Sequence, residues 1–437
     1  MLEIAAQSPA TTSVRARPRW GLRDHPLLTL MVVGVLGRLV LAFVPGHNDV
    51  IVFTGWADEL AAHGPIQFYR GEVFRDYLPG YLYMLLVFGE LRSIFGISDW
   101  LFQLMLKMPA LVADIGSALL LYHLLRGLPE KRRMFAVATY LALPPVLFIG
   151  VVWGQVDSIL AFFLLLTVYY FDRKRPVAAG VAFAVAFIVK PQAAAAAPAF
   201  AVWALTHYDR KTIVNAVAAG LIVGVLLIIP FFVQPFAIFP QLITMTNHYN
   251  NNAMHSLNFW SMWGWEISDD HHFFLGIDWR TWGTLLTFVA YVPVVLQTRR
   301  ARTTGELCLG VAVSILVFYT FQTRMHERYS FVAILPMLAG CMLLSHRRLW
   351  LGFAAVCALQ LMALIYAYGH QFYGVRLTDI LDYNPGWHIK ASPAVYALSA
   401  VASGVTLWLM LQSKAIIGER QSHTPKPIPE VAPTTPR

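Results

Sequence analysis

Long apolar runs alternate with short polar turns from Leu27 to Leu411. A run of roughly 18 or more apolar residues reads as a membrane helix. The pattern predicts spans at about 26–45, 101–125, 134–152, 157–171, 176–190, 192–206, 211–233, 281–298, 305–323, 329–345, 349–369 and 393–412. Two of these, 176–190 and 192–206, are short and read as shallow helices meeting at Lys190-Pro191-Gln192. The expected fold class is all-α integral membrane, with about 12 transmembrane helices. Backbone amides in lipid find partners only within such helices or closed barrels.

Composition agrees. The 437 residues are 57% hydrophobic and 13% charged, where a soluble domain carries about a quarter charged residues. The net charge of +9 does not point to nucleic acid, because the basic residues sit in short loops between spans, as the positive-inside rule describes. These are Arg15 to Arg23, Arg126 with Lys131 to Arg133, Arg173 to Arg175, Arg210-Lys211, Arg299 to Arg302, Arg347-Arg348 and Lys414 to Lys426. Placed on one side, they put both termini in the cytoplasm.

That sidedness settles one ambiguous stretch. If both 77–97 and 101–125 crossed, Lys131-Arg132-Arg133 would fall outside. The stretch 77–97, with Pro79, Gly80, Glu90 and Arg92, is therefore expected to lie at the outer interface. The organisation expected is a cytoplasmic tail (1–25), one transmembrane domain (26–413) whose first external loop is 46–100, and a disordered Pro/Thr/Ser-rich tail (414–437). Residues 234–280 and 370–392 form the other long external connections. No cleavable signal is expected, since the first apolar run is of spanning length and has no cleavage site behind it. Cys308, Cys341 and Cys357 lie inside apolar runs and suggest neither disulfide nor zinc.

Ionisable residues are expensive where several of these sit. In the first external loop Asn48 suits a helix N-cap, with Asp49 in the first turn and Phe53, Trp56 and Leu60 on one stripe. Asp76-Tyr77-Leu78-Pro79 closes that loop. Trp153-Gly154-Gln155-Val156-Asp157 joins two spans almost without a loop. Asp157 reads equally as a helix cap, and Lys190 as a lysine snorkelling to the interface. Arg324-Met325-His326-Glu327-Arg328 breaks the positive-inside rule in an external turn, which points to a bound anion suited to a guanidinium fork; pairing with Glu327 and other acids is the structural alternative. Within the spans, Arg38, Lys107 and Asp114 are costly, and Lys107 and Asp114 are expected to pair. The run Asp269-Asp270-His271-His272 is a poor metal site, because adjacent loop residues cannot all face one ion. No cofactor is expected, and a divalent metal is not supported.

In order and sidedness, these external motifs resemble the GT-C superfamily of membrane glycosyltransferases. They are similar in layout to the dolichyl-phosphate-glucose glucosyltransferases and their bacterial mannosyltransferase-like relatives. The resemblance covers about residues 30–345. The family's loop acid is matched by Asp49, and its Asp-Tyr-Pro-Pro motif by Asp76 to Pro79, with Leu78 departing from the first proline. Its Lys-Gln element resembles Lys190-Pro191-Gln192, and its His-Glu turn resembles His326-Glu327. Trp153 to Asp157 matches a further motif in position.

The resemblance implies a polyprenyl-phosphate sugar donor and inverting transfer of a hexose, mannose or glucose, to a cell-envelope glycan, glycolipid or protein. It gives Asp49 and Asp76 catalytic roles. It assigns the donor phosphate to Lys190, Arg324, His326 and Arg328, and substrate contacts to Tyr77, Gln155, Asp157, Gln192 and Glu327. No Gly-rich phosphate loop for a nucleotide is visible. The short loops suggest a bacterial inner membrane. A transporter or lipid-linked-sugar flippase is the competing reading, but transporters place their groups near the midplane on repeated, broken helices, and no repeat is evident.

Overall fold

The computed structural model describes residues 25–70, 75–232, 234–373 and 393–422. A helix stands at each expected span. The chain enters through α1 (Pro26–Ala42), leaves it for α2 (Asn48–Phe68) and α3 (Pro79–Phe95), and returns in α4 (Asp99–Leu124). The next span is bent by 51°. It runs from α5 (Glu130–Ala142) through α6 (Pro144–Leu147) into a π-helical turn (Phe148–Trp153). Pro144 breaks it by forcing Leu143 into extended conformation.

Then come α7 (Asp157–Asp172), α8 (Pro176–Val189), a 3₁₀ segment (Pro191–Ala196), α9 (Ala197–His207) and α10 (Arg210–Ile228). The amphipathic α11 (Ile238–His248) precedes α12 (Trp279–Thr298), α13 (Thr304–Phe321), α14 (Ile334–Leu344), α15 (Arg347–Tyr373) and α16 (Pro393–Ser422). The protein is a multi-pass membrane protein. Among the described residues, however, six helices are long and apolar enough to cross, or seven if the bent pair is one span. The expected dozen is not reached on that criterion, because prolines and Lys190 cut several spans short. The helix α3 is not among the candidate crossings.

Helix α13 forms the centre, buried along almost its whole length. Its start is fixed by a capping box, in which Thr303 Oγ1 accepts from the Glu306 amide (3.3 Å) and Glu306 Oε2 accepts from the Thr303 amide (2.9 Å). Helix α10 lies at the periphery and exposes Val214, Leu221 and Leu226 as a lipid-facing helix should. The basic loops gather at one end: Arg126 reaches Asp172 (3.3 Å), and Arg132 donates to Met342 O (2.9 Å). Asp157, Lys190 and the turn after Phe321 lie at the opposite ends of α7, α8 and α13.

Several expectations need correction. Lys107 does not pair with Asp114. Its ammonium donates to Ala42 O (2.9 Å) and Val44 O (2.6 Å), the unsatisfied carbonyls where α1 ends. Asp114 instead takes Arg38 Nε (2.9 Å) and the Tyr140 hydroxyl (3.2 Å). Helix α16 continues through Lys414 to Ser422, so the tail does not begin at 414. Residues 1–24, 374–392 and 423–437, which hold the terminal tails and most of the 370–392 connection, lie outside the described residues. The 234–280 connection is structured. Its β1 (Ala253–Met254) pairs in parallel with β4 (Met325–His326), and β2 (His272–Phe274) pairs with β3 (Ile277–Asp278).

Candidate active site

Helix α2 is capped by His47, not by Asn48, with the His47 ring Nδ1 3.3 Å from the Asp49 amide. Val50, Phe53, Trp56, Ala57 and Leu60 bury one face of α2, spaced for a helix. The hairpin to α3 closes tightly at Gly89, where a Cβ would fall within 3 Å of the Ala57 carbonyl. Asp49 is thereby held at the start of a packed helix. The Asp49 carboxylate accepts from Trp153 Nε1 (2.8 Å) and Gln155 Nε2 (2.6 Å), and the His47 ring stacks on Trp153 at 4.0 Å. The turn that delivers Trp153 and Gln155 needs Gly154. Its φ is +86°, and a Cβ there would meet Val50 at 2.5 Å.

Gln155 passes the contact on. Its Oε1 accepts from the Tyr77 hydroxyl at 3.0 Å, so the Asp49 and Asp76-Tyr77 motifs are joined through one amide. Asp76 lines a cavity of about 510 Å³ together with Tyr77, Lys190, Gln192, Arg324, His326 and Arg328. No hydrogen bond or ion pair to the Asp76 side chain is present among the described residues.

Under this cavity lies a buried ionic cluster. Lys190 Nζ, whose residue is 3% exposed, contacts both Asp157 oxygens at 2.9 and 3.0 Å. Arg328 Nε stands 3.9 Å from Asp157, while its Nη1 donates to Glu327 at 2.7 Å. The ammonium also faces the rings of Tyr77 (5.6 Å) and Tyr329 (5.4 Å). Asp157 is the first residue of α7, where the helix dipole favours a carboxylate.

Arg324 lines the cavity too, but its fork is engaged elsewhere. Nε and Nη2 hold Asp269 at 2.6 and 2.9 Å, and Nη1 donates to Thr246 O and Asn247. Asp269, part of the acidic run in the 234–280 loop, is thus the anchor of Arg324 in a left-handed turn (φ +65°). The backbone of that turn pairs with Asn251 to Met254, which fixes His326 and Arg328 against the loop.

The two aspartates titrate in opposite directions. Burial works against ionisation of Asp49, but Arg328, the adjacent His47 ring and the hydrogen bond from Trp153 outweigh it and hold its carboxyl well below the usual range. Asp76 is pushed up to about 6 by burial, with the Asp49 charge adding to it and Arg328 and Lys190 opposing. His326 is driven down to about 3 by burial and by Arg328, so its ring is neutral at ordinary pH.

Every residue expected at the site therefore falls in one neighbourhood. Asp76, Tyr77, Lys190, Gln192, Arg324, His326 and Arg328 reach the cavity wall, Gln155, Asp157 and Glu327 are buried as partners, and Asp49, outside the lining, keeps its side chain 24% exposed. Sequence reasoning missed His47 and Trp153 as partners of Asp49, and Tyr249 and Arg280 as lining residues. The helix-start position of His47 and the proximity of Trp153 to Gln155 were the available signals for the first two.

Next to the cavity runs an apolar groove of about 810 Å³ between α8, α9, α10 and α11. Leu242 lines both spaces, and Leu78 and Ile188 bring the groove to within two residues of Tyr77 and Lys190.

The family described as Glycosyltransferase family 87 matches residues 77–320. Two solved structures are similar. One is ArnT from Cupriavidus metallidurans in the apo state, with 15% identity over 91% of this chain and 77% of that chain, at a TM-score of 0.49. The other is ArnT from the same organism bound to undecaprenyl phosphate, with 15% identity over 92% of this chain and 77% of that chain, at a TM-score of 0.48. No curated protein matches the chain.

Proposed function

The chain belongs to glycosyltransferase family 87, and from its site we propose that it moves a sugar from a polyprenyl-phosphate donor to an acceptor hydroxyl at the membrane surface, inverting the anomeric carbon. One observation carries the donor class: a cavity whose wall includes the cations of Lys190 and Arg328 abuts an apolar groove between α8, α9, α10 and α11. A phosphate on a long hydrocarbon chain matches both halves, whereas a soluble nucleotide sugar matches only the first. Family membership also removes the transporter alternative. The sugar is a hexose, mannose or glucose, the membrane is a bacterial inner membrane with both termini cytoplasmic, and the acceptor belongs to the cell envelope.

The two carboxylates take different parts. A bound phosphate adds negative charge beside Arg328 and Lys190, which weakens the cationic field at both aspartates. Asp76, already pushed up to about 6, is then protonated at neutral pH and donates a hydrogen bond to the phosphate. Asp49 starts far lower and stays ionised, as the general base. Carboxylate pairs split by environment into acid and base are a recurring arrangement. The acceptor oxygen attacks the anomeric carbon as Asp49 takes its proton, and the bond to the phosphate oxygen breaks with its electron pair. Lys190 and Arg328 stabilise that leaving phosphate, while Arg324 holds the turn in place. Neutral His326 donates or accepts a hydrogen bond at the sugar.

The test uses the full chain in nanodiscs with radiolabelled polyprenyl-phosphate mannose and polyprenyl-phosphate glucose. Saturable binding of one donor and release of its label onto acceptor are expected. Absence of binding by both overturns the donor class.

A further inference from the structure

The Asp49 carboxylate is gripped by one oxygen. Its Oδ2 accepts from Trp153 Nε1 (2.8 Å) and Gln155 Nε2 (2.6 Å), and the His47 ring Nδ1 stands 3.2 Å from the same atom. Oδ1 accepts no hydrogen bond among the described residues, although most of the side chain is covered. Both donors are themselves fixed. Trp153 is fully buried, its ring stacks on His47, and its carbonyl accepts from the His47 amide at 3.0 Å. The start of α2 and the turn before α7 are thus tied by a hydrogen bond in each direction. Gln155, also buried, carries two donors on its Oε1, the Tyr77 hydroxyl and the Val156 amide, each at 3.0 Å. A flipped amide would set its NH2 against the Val156 N–H and its oxygen against the carboxylate, so only one orientation satisfies both ends. Tyr77 is held in turn by the rings of Phe53, Trp56 and Tyr81.

Gln155 does not line the cavity, so its amide serves Asp49 rather than the sugar. An indole N–H and an amide N–H only donate at neutral pH, and neither competes with the carboxylate for a proton. We propose that Trp153 and Gln155 are positioning residues for the transfer: they fasten Asp49 by Oδ2 and reserve Oδ1 as the atom that takes the acceptor proton, with Tyr77 fixing the Gln155 amide. This rests on the reading of Asp49 as the general base. In that step the acceptor O–H proton passes to Oδ1 and the acceptor oxygen bonds the anomeric carbon. The bond from that carbon to the phosphate oxygen breaks with its electron pair, and Asp49 later returns the proton to water. A carboxylate free to rotate would present Oδ1 in line less often, so the clamp acts on kcat and not on donor binding.

The test uses the full chain in nanodiscs, with radiolabelled polyprenyl-phosphate mannose as donor and a total membrane extract as the acceptor source. Donor Kd and kcat at saturating donor are measured separately. Gln155→Met and Trp153→Phe each remove one N–H donor and should lower kcat at least about tenfold, with donor Kd unchanged. Gln155→Glu is the discriminating variant. While protonated, the introduced carboxyl donates its O–H to Asp49 Oδ2 and keeps a carbonyl oxygen for Tyr77 and Val156, so kcat should approach the parent's at low pH. As pH rises the proton shared by the two carboxyls is lost and they repel. The kcat should then fall, a descending limb that the parent lacks. Arg328, Lys190, His47, Asp76, Tyr77 and His326 also face the Asp49 charge, but they are common to every variant, so the difference belongs to position 155. Equal pH profiles for Gln155→Glu and the parent overturn the proposal. So does a Gln155→Met variant that weakens donor binding at the parent's kcat, the result expected of a sugar contact. If Gln155→Met fails to fold, Trp153→Phe and the Gln155→Glu profile decide alone. Near-normal turnover in Asp49→Asn is a separate result that strikes the base itself.

Discussion

Lys190 and Asp157 form the junction of structure and chemistry, and a double-mutant cycle separates the two. Lys190→Met leaves Asp157 buried, with Arg328 Nε at 3.9 Å as its remaining cation. Breaking a buried pair by removing one partner costs about 3–5 kcal/mol. Asp157→Leu strands the ammonium, which is 4% exposed at its side chain, and should cost as much. The double variant removes both charges together and should recover about 2–3 kcal/mol of the summed loss, the coupling expected of neighbours in one network. Arg328 keeps Glu327 at 2.7 Å throughout. Thermal unfolding in detergent reads this stability.

Donor affinity should not follow the same order. A hydrogen bond to a charged group contributes about 1.5–3 kcal/mol, so both variants lacking Lys190 should bind polyprenyl-phosphate mannose at least about tenfold more weakly, including the stable double. Recovery of donor affinity along with stability in the double variant would show that the phosphate does not sit on Lys190.

Asp49→Asn keeps the volume and should lower turnover by about two orders of magnitude or more with melting close to the parent; near-normal turnover would move the base to Asp76. Donor affinity should weaken as pH rises through about 6, because ionised Asp76 then repels the donor phosphate and protonated Asp76 does not. Asp76→Asn should flatten that dependence, and a pH-independent parent would remove Asp76 from the phosphate. Cysteines placed at Arg70 and Ser98 should both react with an impermeant reagent from outside if α3 lies at the interface as the charge pattern predicts; opposite accessibility refutes the non-crossing reading. Gly154→Val drives a side chain into Val50 and should depress turnover more than donor affinity, as measured by separate kcat and binding assays.

Hydrophobic pattern located the helices well, because burial in lipid leaves a long apolar run in the sequence whatever the packing partners are. It did not decide crossings. Helices such as α8 and α9 are apolar but short, and the prolines at 144 and 191 bend or divide their neighbours. The pattern was also blind to β1 and β4, two-residue strands that pair across some seventy residues of chain. Such pairing has no period to detect.

The site was legible as a set of expensive residues, and less so as a set of pairs. Lys107 and Asp114 share a helix face, yet each finds its partner on another element, because a buried charge takes the donor or acceptor that packing brings near rather than the one nearest in sequence. Asp269 shows the same rule from the other side. It stood out in the sequence as a member of an acidic and histidine-rich run, but its 0% exposure follows from Arg324, 55 residues later. Once Arg324 is committed there, the cavity wall keeps Lys190 and Arg328 beside Asp157 and Arg280 at the start of α12. The chain thus carries one arginine that secures the turn and another, Arg328, four residues on, that lines the cavity. An external turn tolerates two arginines against the positive-inside trend because each has a protein counter-charge, Asp269 for Arg324 and Glu327 for Arg328.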